Sequence, residues 1–110
     1  MNAPAKAEIQ GAYVLRQDAD GIATLILNRG DRLNPLSTEM LSALQTELDR
    51  VAADASVRVV VLAGAGKHFC AGHDLREMRA HPDQGWQLAL FEQCSRMMLS
   101  LVALPQPVIA

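Results

Sequence analysis

The sequence predicts an α/β fold that starts with a β-hairpin followed by a βαβ unit, and three stretches carry that prediction. "AYVLRQDADGIATLILN" places turn residues between two β-rich runs, "STEMLSALQTELDRV" repeats apolar residues at helical spacing, and "VRVVVLA" is a nearly unbroken β-branched run. Strand, helix and strand in that order make a βαβ unit, right-handed by the usual rule.

In the hairpin, Asp18-Ala19-Asp20-Gly21 supplies the turn chemistry. In "NRGDRLNPLS", Gly30, Asn34 and Pro35 break any period and make a loop. Ser37 fits a helix N-cap with Glu39 in the first turn. Met40, Leu41, Leu44, Leu48 and Val51 then follow on one face of a helix that runs to about Ala53. Residues 57–63 have the pattern of a strand buried on both faces of a parallel sheet. A short helix capped by Asp74 is expected after His73. Beyond "HPDQG", residues 86–104 read as an amphipathic helix with Leu90, Cys94, Met97, Leu101 and Leu104 on one side and Glu92, Arg96 and Ser100 on the other. Pro105 and Pro107 stop it, and Val108-Ile109-Ala110 open a further strand. Residues 1–11, "MNAPAKAEIQG", are expected to be a disordered lead-in.

Composition narrows the partners. Half of the 110 residues are apolar and a fifth charged, as in a globular domain. The net charge of −2 comes from interspersed signs and aromatics are few, so no nucleic-acid partner is expected. The longest uncharged run, 97–110, is shorter than the roughly 18 residues of a membrane span and contains two prolines, so no membrane segment is expected either. The N-terminal stretch lacks the apolar core of a secretory signal. Cys70 and Cys94 lack a scaffold-like spacing, which points to reduced thiols in a cytoplasmic setting.

The stretch that invites chemistry is "GAGKHFCAGHDLREM", residues 64–78. A P-loop would need glycine at Val61 and Ser or Thr at His68, and a dinucleotide fingerprint would need glycine at Phe69; both patterns fail. A zinc site from His68, Cys70, His73 and Asp74 would rest on a single loop, with His81 the only other histidine. A Cys70 nucleophile with His68 or His73 as base lacks partners converging from separate segments. What remains is the backbone. Small residues at Ala71 and Gly72 let a ligand reach the main chain, and the N–H groups opening a helix after His73 point outward, unpaired, toward negative charge. A plain strand-to-helix turn has the same features, and spacing leaves both readings open.

From about Ala12 to Ala110 the sequence resembles the N-terminal part of the enoyl-CoA hydratase/isomerase (crotonase) superfamily. The resemblance lies in "IATLILNRGDRLNPLS", "LQTELDRVAADASVRVVVLAGAGKHFCAGHDLREM" and "LPQPVIA", in matching order and spacing. The "GHDL" form, with histidine where alanine is commoner, looks most like the enoyl-CoA hydratase domain-containing protein 3 branch. The resemblance implies the first part of a ClpP/crotonase-like ββα-repeat spiral, with 12–110 an incomplete acyl-CoA-binding domain.

It also implies a chemistry. An acyl-CoA thioester carbonyl sits between two backbone N–H donors that stabilise the enolate developing on its oxygen, and the first donor maps to the N–H of His73, beside Gly72. Arg32, Leu33 and the backbones around Ala71 and Leu75 line the pantetheine and adenine region. Asp74 caps the helix and has a secondary substrate role, and Met78 and the helix 86–104 shape the acyl pocket. No cofactor is implied beyond the coenzyme A carried by the substrate. The default reaction is hydration of a 2-enoyl-CoA in fatty-acid metabolism; isomerisation, thioester hydrolysis, decarboxylation and dehalogenation use the same scaffold. The implied partners are the acyl-CoA thioester and further copies, in a trimer or hexamer.

Two departures stand out: Gly30 replaces the proline of the usual Asn-Arg-Pro, and Pro35 replaces a common alanine. The family continues past "PVIA" into a glycine-rich turn bearing the second donor and then to proton-moving glutamates. None of these is among the 110 residues, so the chain is expected to be an N-terminal portion, inactive alone. The alternative is a non-catalytic CoA-binding or oligomer-docking module.

Overall fold

The hairpin closes on two residues. β1 (Val14–Ala19) and β2 (Ile22–Leu27) pair antiparallel with Ala19 opposite Ile22, which leaves Asp20 and Gly21 as the turn at φ of 53° and 81°. Positive φ at both positions is the turn whose twist matches that of the strands, and Asp-Gly adopts it readily. Asp18 and Ala19, expected in the turn, belong to the strand. The computed structural model describes residues 11–110, so the expected lead-in lies outside the described residues but for Gly11.

α1 (Thr38–Ala52) forms as its spacing requires. The Ser37 hydroxyl accepts from the Met40 N–H at 3.1 Å, and Met40, Leu41, Leu44, Leu48 and Val51 are all buried. β3 (Val59–Gly64) runs parallel to β2, as the βαβ pattern demands. α2 (Leu75–Ala80) and α3 (Gln84–Val102) follow, and β4 (Val108–Ile109) returns parallel to β3. The strand order β1-β2-β3-β4 is that of an open sheet in which a hairpin is extended by parallel crossovers.

One core holds these elements. The inward face of the sheet, Val14, Ala23, Leu25, Leu27, Val60 and Leu62, clusters with the buried face of α1 and with Leu90 and Met97 of α3. The expectation that β3 is buried on both faces is corrected here. Val60 and Leu62 are buried, whereas Val59, Val61 and Ala63 are only half-buried, because the helical layer packs on one side of the sheet. Val57 is buried but precedes the strand.

α3 is also corrected. It begins at Gln84, with the Asp83 carboxylate accepting from the Trp86 N–H at 2.9 Å, and ends two residues short of Leu104. Only Leu90 and Met97 of its expected apolar face are fully buried; Cys94, Leu101 and Leu104 are partly covered. Phe91, Met98, Leu99 and Val102 form an exposed apolar stripe that the spacing did not separate from the core face.

Candidate active site

Parallel pairing of β2 and β3 brings the loops leaving their C-terminal ends side by side, and these loops interlock. The Ala65 N–H donates to the Leu27 carbonyl at 2.8 Å, the Ala71 N–H to the Leu33 carbonyl at 2.9 Å, and the Leu36 N–H to the Gly72 carbonyl at 2.7 Å. Leu36 and His73 form an isolated parallel bridge. At Gly30 a Cβ would lie 2.5 Å from the Ala65 carbonyl oxygen, so the loops approach more closely than any side chain there permits. That accounts physically for glycine at this position.

The turn before α2 has the following geometry. Gly72 sits at φ +88°, and a Cβ built on it meets nothing within 4 Å. The next residue, His73, has a backbone N–H with no acceptor among the described residues. The helix start itself is a different matter: the Asp74 carboxylate accepts from the Arg76 N–H at 3.0 Å and the Glu77 N–H at 3.2 Å. The expectation that the N–H groups opening the helix are unpaired is therefore corrected for Arg76 and Glu77, whose N–H groups the cap residue satisfies. An open donor remains one residue before the cap.

The other predicted residues gather nearby. Leu33 adopts φ +67°, a left-handed conformation that is strained for a bulky side chain, and its carbonyl is tied to Ala71. Leu33, Phe69 and Leu75 are exposed apolar side chains on the two loops and the helix start that flank Ala71 and Gly72. Arg32 is exposed in the short 3-10 turn at Gly30–Arg32. Met78, expected at the acyl group, packs partly buried against the core.

The His73 imidazole lies edge-on to the Phe91 ring, 5.4 Å between centroids at 68°. Together with Cys94, Ser95, Met98 and Leu99 the pair lines a shallow groove of about 430 Å³ along α3. The groove is chiefly apolar. Burial, and then the neighbouring Cys70, push the Cys94 thiol above its ordinary value, which leaves it protonated and unreactive at neutral pH.

A larger cavity of about 680 Å³ opens beside the 28–37 loop, with Asp31, Glu39, Asp74 and Glu77 facing Arg29 and Arg32. Glu39 is held below the usual carboxylate range by its own backbone N–H and then by the Thr38 hydroxyl. Four carboxylates against two guanidinium groups make it a poor anion site. Among the described residues no three His, Cys, Asp or Glu side chains form a metal-binding group, and no helix is long and apolar enough to cross a membrane.

One residue of the site escaped sequence reasoning. Asn34 is wholly buried at φ +51° and all of its amide groups are engaged: Oδ1 accepts from the Arg29 N–H at 2.7 Å, and Nδ2 donates to the carbonyls of Ala65 and His68 at 3.0 Å each. In sequence it is only a turn-forming residue before a proline, with no sign that it is buried.

Comparison with known proteins extends over this whole region. A family profile described as Enoyl-CoA hydratase/isomerase matches residues 22–110. Among curated proteins, the chain is 35% identical over 97 residues to enoyl-CoA hydratase domain-containing protein 3, mitochondrial, of Xenopus laevis, covering 88% of this chain and 33% of that protein. It is 36% identical over 102 residues to 1,2-epoxyphenylacetyl-CoA isomerase of Escherichia coli, covering 88% of this chain and 38% of the relative. Among solved structures, an enoyl-CoA hydratase of Mycobacterium smegmatis superposes with a TM-score of 0.84 at 48% identity, covering 87% of this chain and 38% of that one. Human enoyl-CoA hydratase domain-containing protein 3 gives 0.81 at 28% identity, with 87% and 38% covered. The chain thus spans between 33% and 38% of the length of these relatives.

Proposed function

The chain belongs to the enoyl-CoA hydratase/isomerase family, and on that premise we propose that it binds an acyl-CoA thioester as the N-terminal part of an acyl-CoA-processing enzyme. The observation that carries this is the His73 N–H, without an acceptor among the described residues and adjoining the open backbone of Gly72. A thioester carbonyl approaching over Gly72 accepts from that donor. As the Cα proton leaves or water adds at C3, negative charge collects on the same oxygen and the hydrogen bond strengthens. A donor placed in this way stabilises the transition state by about 3 to 4 kcal/mol.

Exposed Leu33, Phe69 and Leu75 offer apolar surface for the pantetheine arm. Hydration of a 2-enoyl-CoA is the reaction we assign to the family member that carries, besides this donor, a second N–H and the acid–base glutamates. Within these 110 residues the contribution is binding and carbonyl polarisation, without turnover. Calorimetry with butyryl-CoA, which has no double bond to hydrate, against free coenzyme A tests this. Tighter binding of the thioester, with the His73 amide resonance moving downfield, is the expected result; equal affinity for both ligands counts against it.

The exposed stripe of Phe91, Met98, Leu99 and Val102 on α3 favours a second role, docking onto further copies of the chain. Sedimentation is then expected to show a trimer or hexamer at micromolar concentration, whereas a strict monomer removes this role.

A further inference from the structure

We propose that Asn34 is a positioning residue that holds the Gly72–His73 turn open for its ligand, an inference resting on the assignment of the His73 N–H as the thioester donor. Three contacts place it there. Its amide nitrogen ties down the start of the loop after β3 through the Ala65 and His68 carbonyls. Its main chain lies between the two rungs that tie down the end of that loop, Ala71 N–H to Leu33 and Leu36 N–H to Gly72. Its Oδ1 accepts from Arg29, which closes its own loop into the shape that makes both rungs possible.

The chemistry needs an amide. Two donors and one acceptor on a planar group meet two carbonyls and one N–H, and among uncharged side chains of this length only asparagine offers that set. The positive φ of 51° adds a second requirement that asparagine tolerates better than most residues. Asn34 is wholly buried, so a change here removes from two carbonyls the donor they share. Those carbonyls then turn outward in search of donors. The rungs at Ala71 and Leu36 loosen with them, and the Gly72 carbonyl, no longer held, lets the following peptide rotate.

The test uses Asn34→Asp, which keeps the Arg29 acceptor but sets a carboxylate against two carbonyl oxygens. Asn34→Gly accompanies it, since glycine accepts the same φ in case the charged variant does not fold. Protection of backbone amides against hydrogen exchange is read without ligand. In both variants the Ala71 and Leu36 amides are expected to lose about tenfold or more of their protection, while Leu25 and Leu62 in the sheet keep theirs.

Butyryl-CoA then loses its advantage over free coenzyme A by a comparable factor. In the aspartate variant part of that advantage returns on acidification, as the protonated carboxyl regains a donor. Unchanged protection at Ala71 and Leu36, an equal loss throughout the sheet, or selective loss with the thioester preference intact each overturns the proposal. If the unsubstituted protein already fails to distinguish butyryl-CoA from coenzyme A, the thioester assignment falls. The selective loss of protection then still establishes Asn34 as the residue that holds the loop.

Discussion

Gly72→Val is expected to weaken butyryl-CoA binding by at least about tenfold, or about 1.4 kcal/mol, while leaving a folded protein. A β-branched residue at φ +88° strains the backbone by about 1 to 3 kcal/mol. No atom of the fold within 4 Å of the new Cβ adds a clash to that cost. The valine methyl groups project into the open space beside Gly72 over which the proposed thioester would reach the His73 N–H, so on that proposal binding suffers beyond what strain alone imposes. Calorimetry paired with a thermal melt separates the two effects. If the valine variant binds butyryl-CoA as well as the parent does, no ligand passes over this turn, and the donor must be sought elsewhere.

Leu48→Ala is expected to have the largest effect on stability, about 2 to 5 kcal/mol, read as a fall in the urea midpoint at unchanged slope. Leu48 is 1% exposed on the face of α1 that covers the sheet. The range is wide because the cost depends on how far neighbours collapse into the cavity. Here collapse is limited, since the helices and one face of the sheet share one cluster and, among the described residues, no second core can compensate. A loss below about 1 kcal/mol would mean that α1 is less firmly packed than its burial indicates.

Much of the scaffold was legible because local chemistry decided it. Asp-Gly permits the two-residue turn, Ser37 and Asp74 cap the helices that begin beside them, and the apolar spacing of α1 coincides with the face it buries. The small residues around Gly72 likewise marked the turn at which a backbone stands open. Reasoning failed once within a single helical turn and once where a partner distant in sequence mattered. The helix-opening N–H groups looked available until the Asp74 carboxylate proved to occupy two of them. The β-branched run of β3 looked buried on both sides, since a strand's own residues carry no record of what packs on its second face.

By itself the sequence determined the order of the elements, the Ser37 and Asp74 caps, the inward face of α1 and the family to which the chain belongs, because these follow from contacts within a few residues and from motif spacing. Only the tertiary structure decided that Asn34 is buried with every amide group engaged, that the His73 imidazole meets Phe91, and that α3 leaves an apolar stripe uncovered. The physical reason is common to all three. Burial and hydrogen-bond pairing are properties of two chain segments brought together, and parallel β2 and β3 bring together loops more than thirty residues apart, Asn34 with His68, whose meeting no local pattern records.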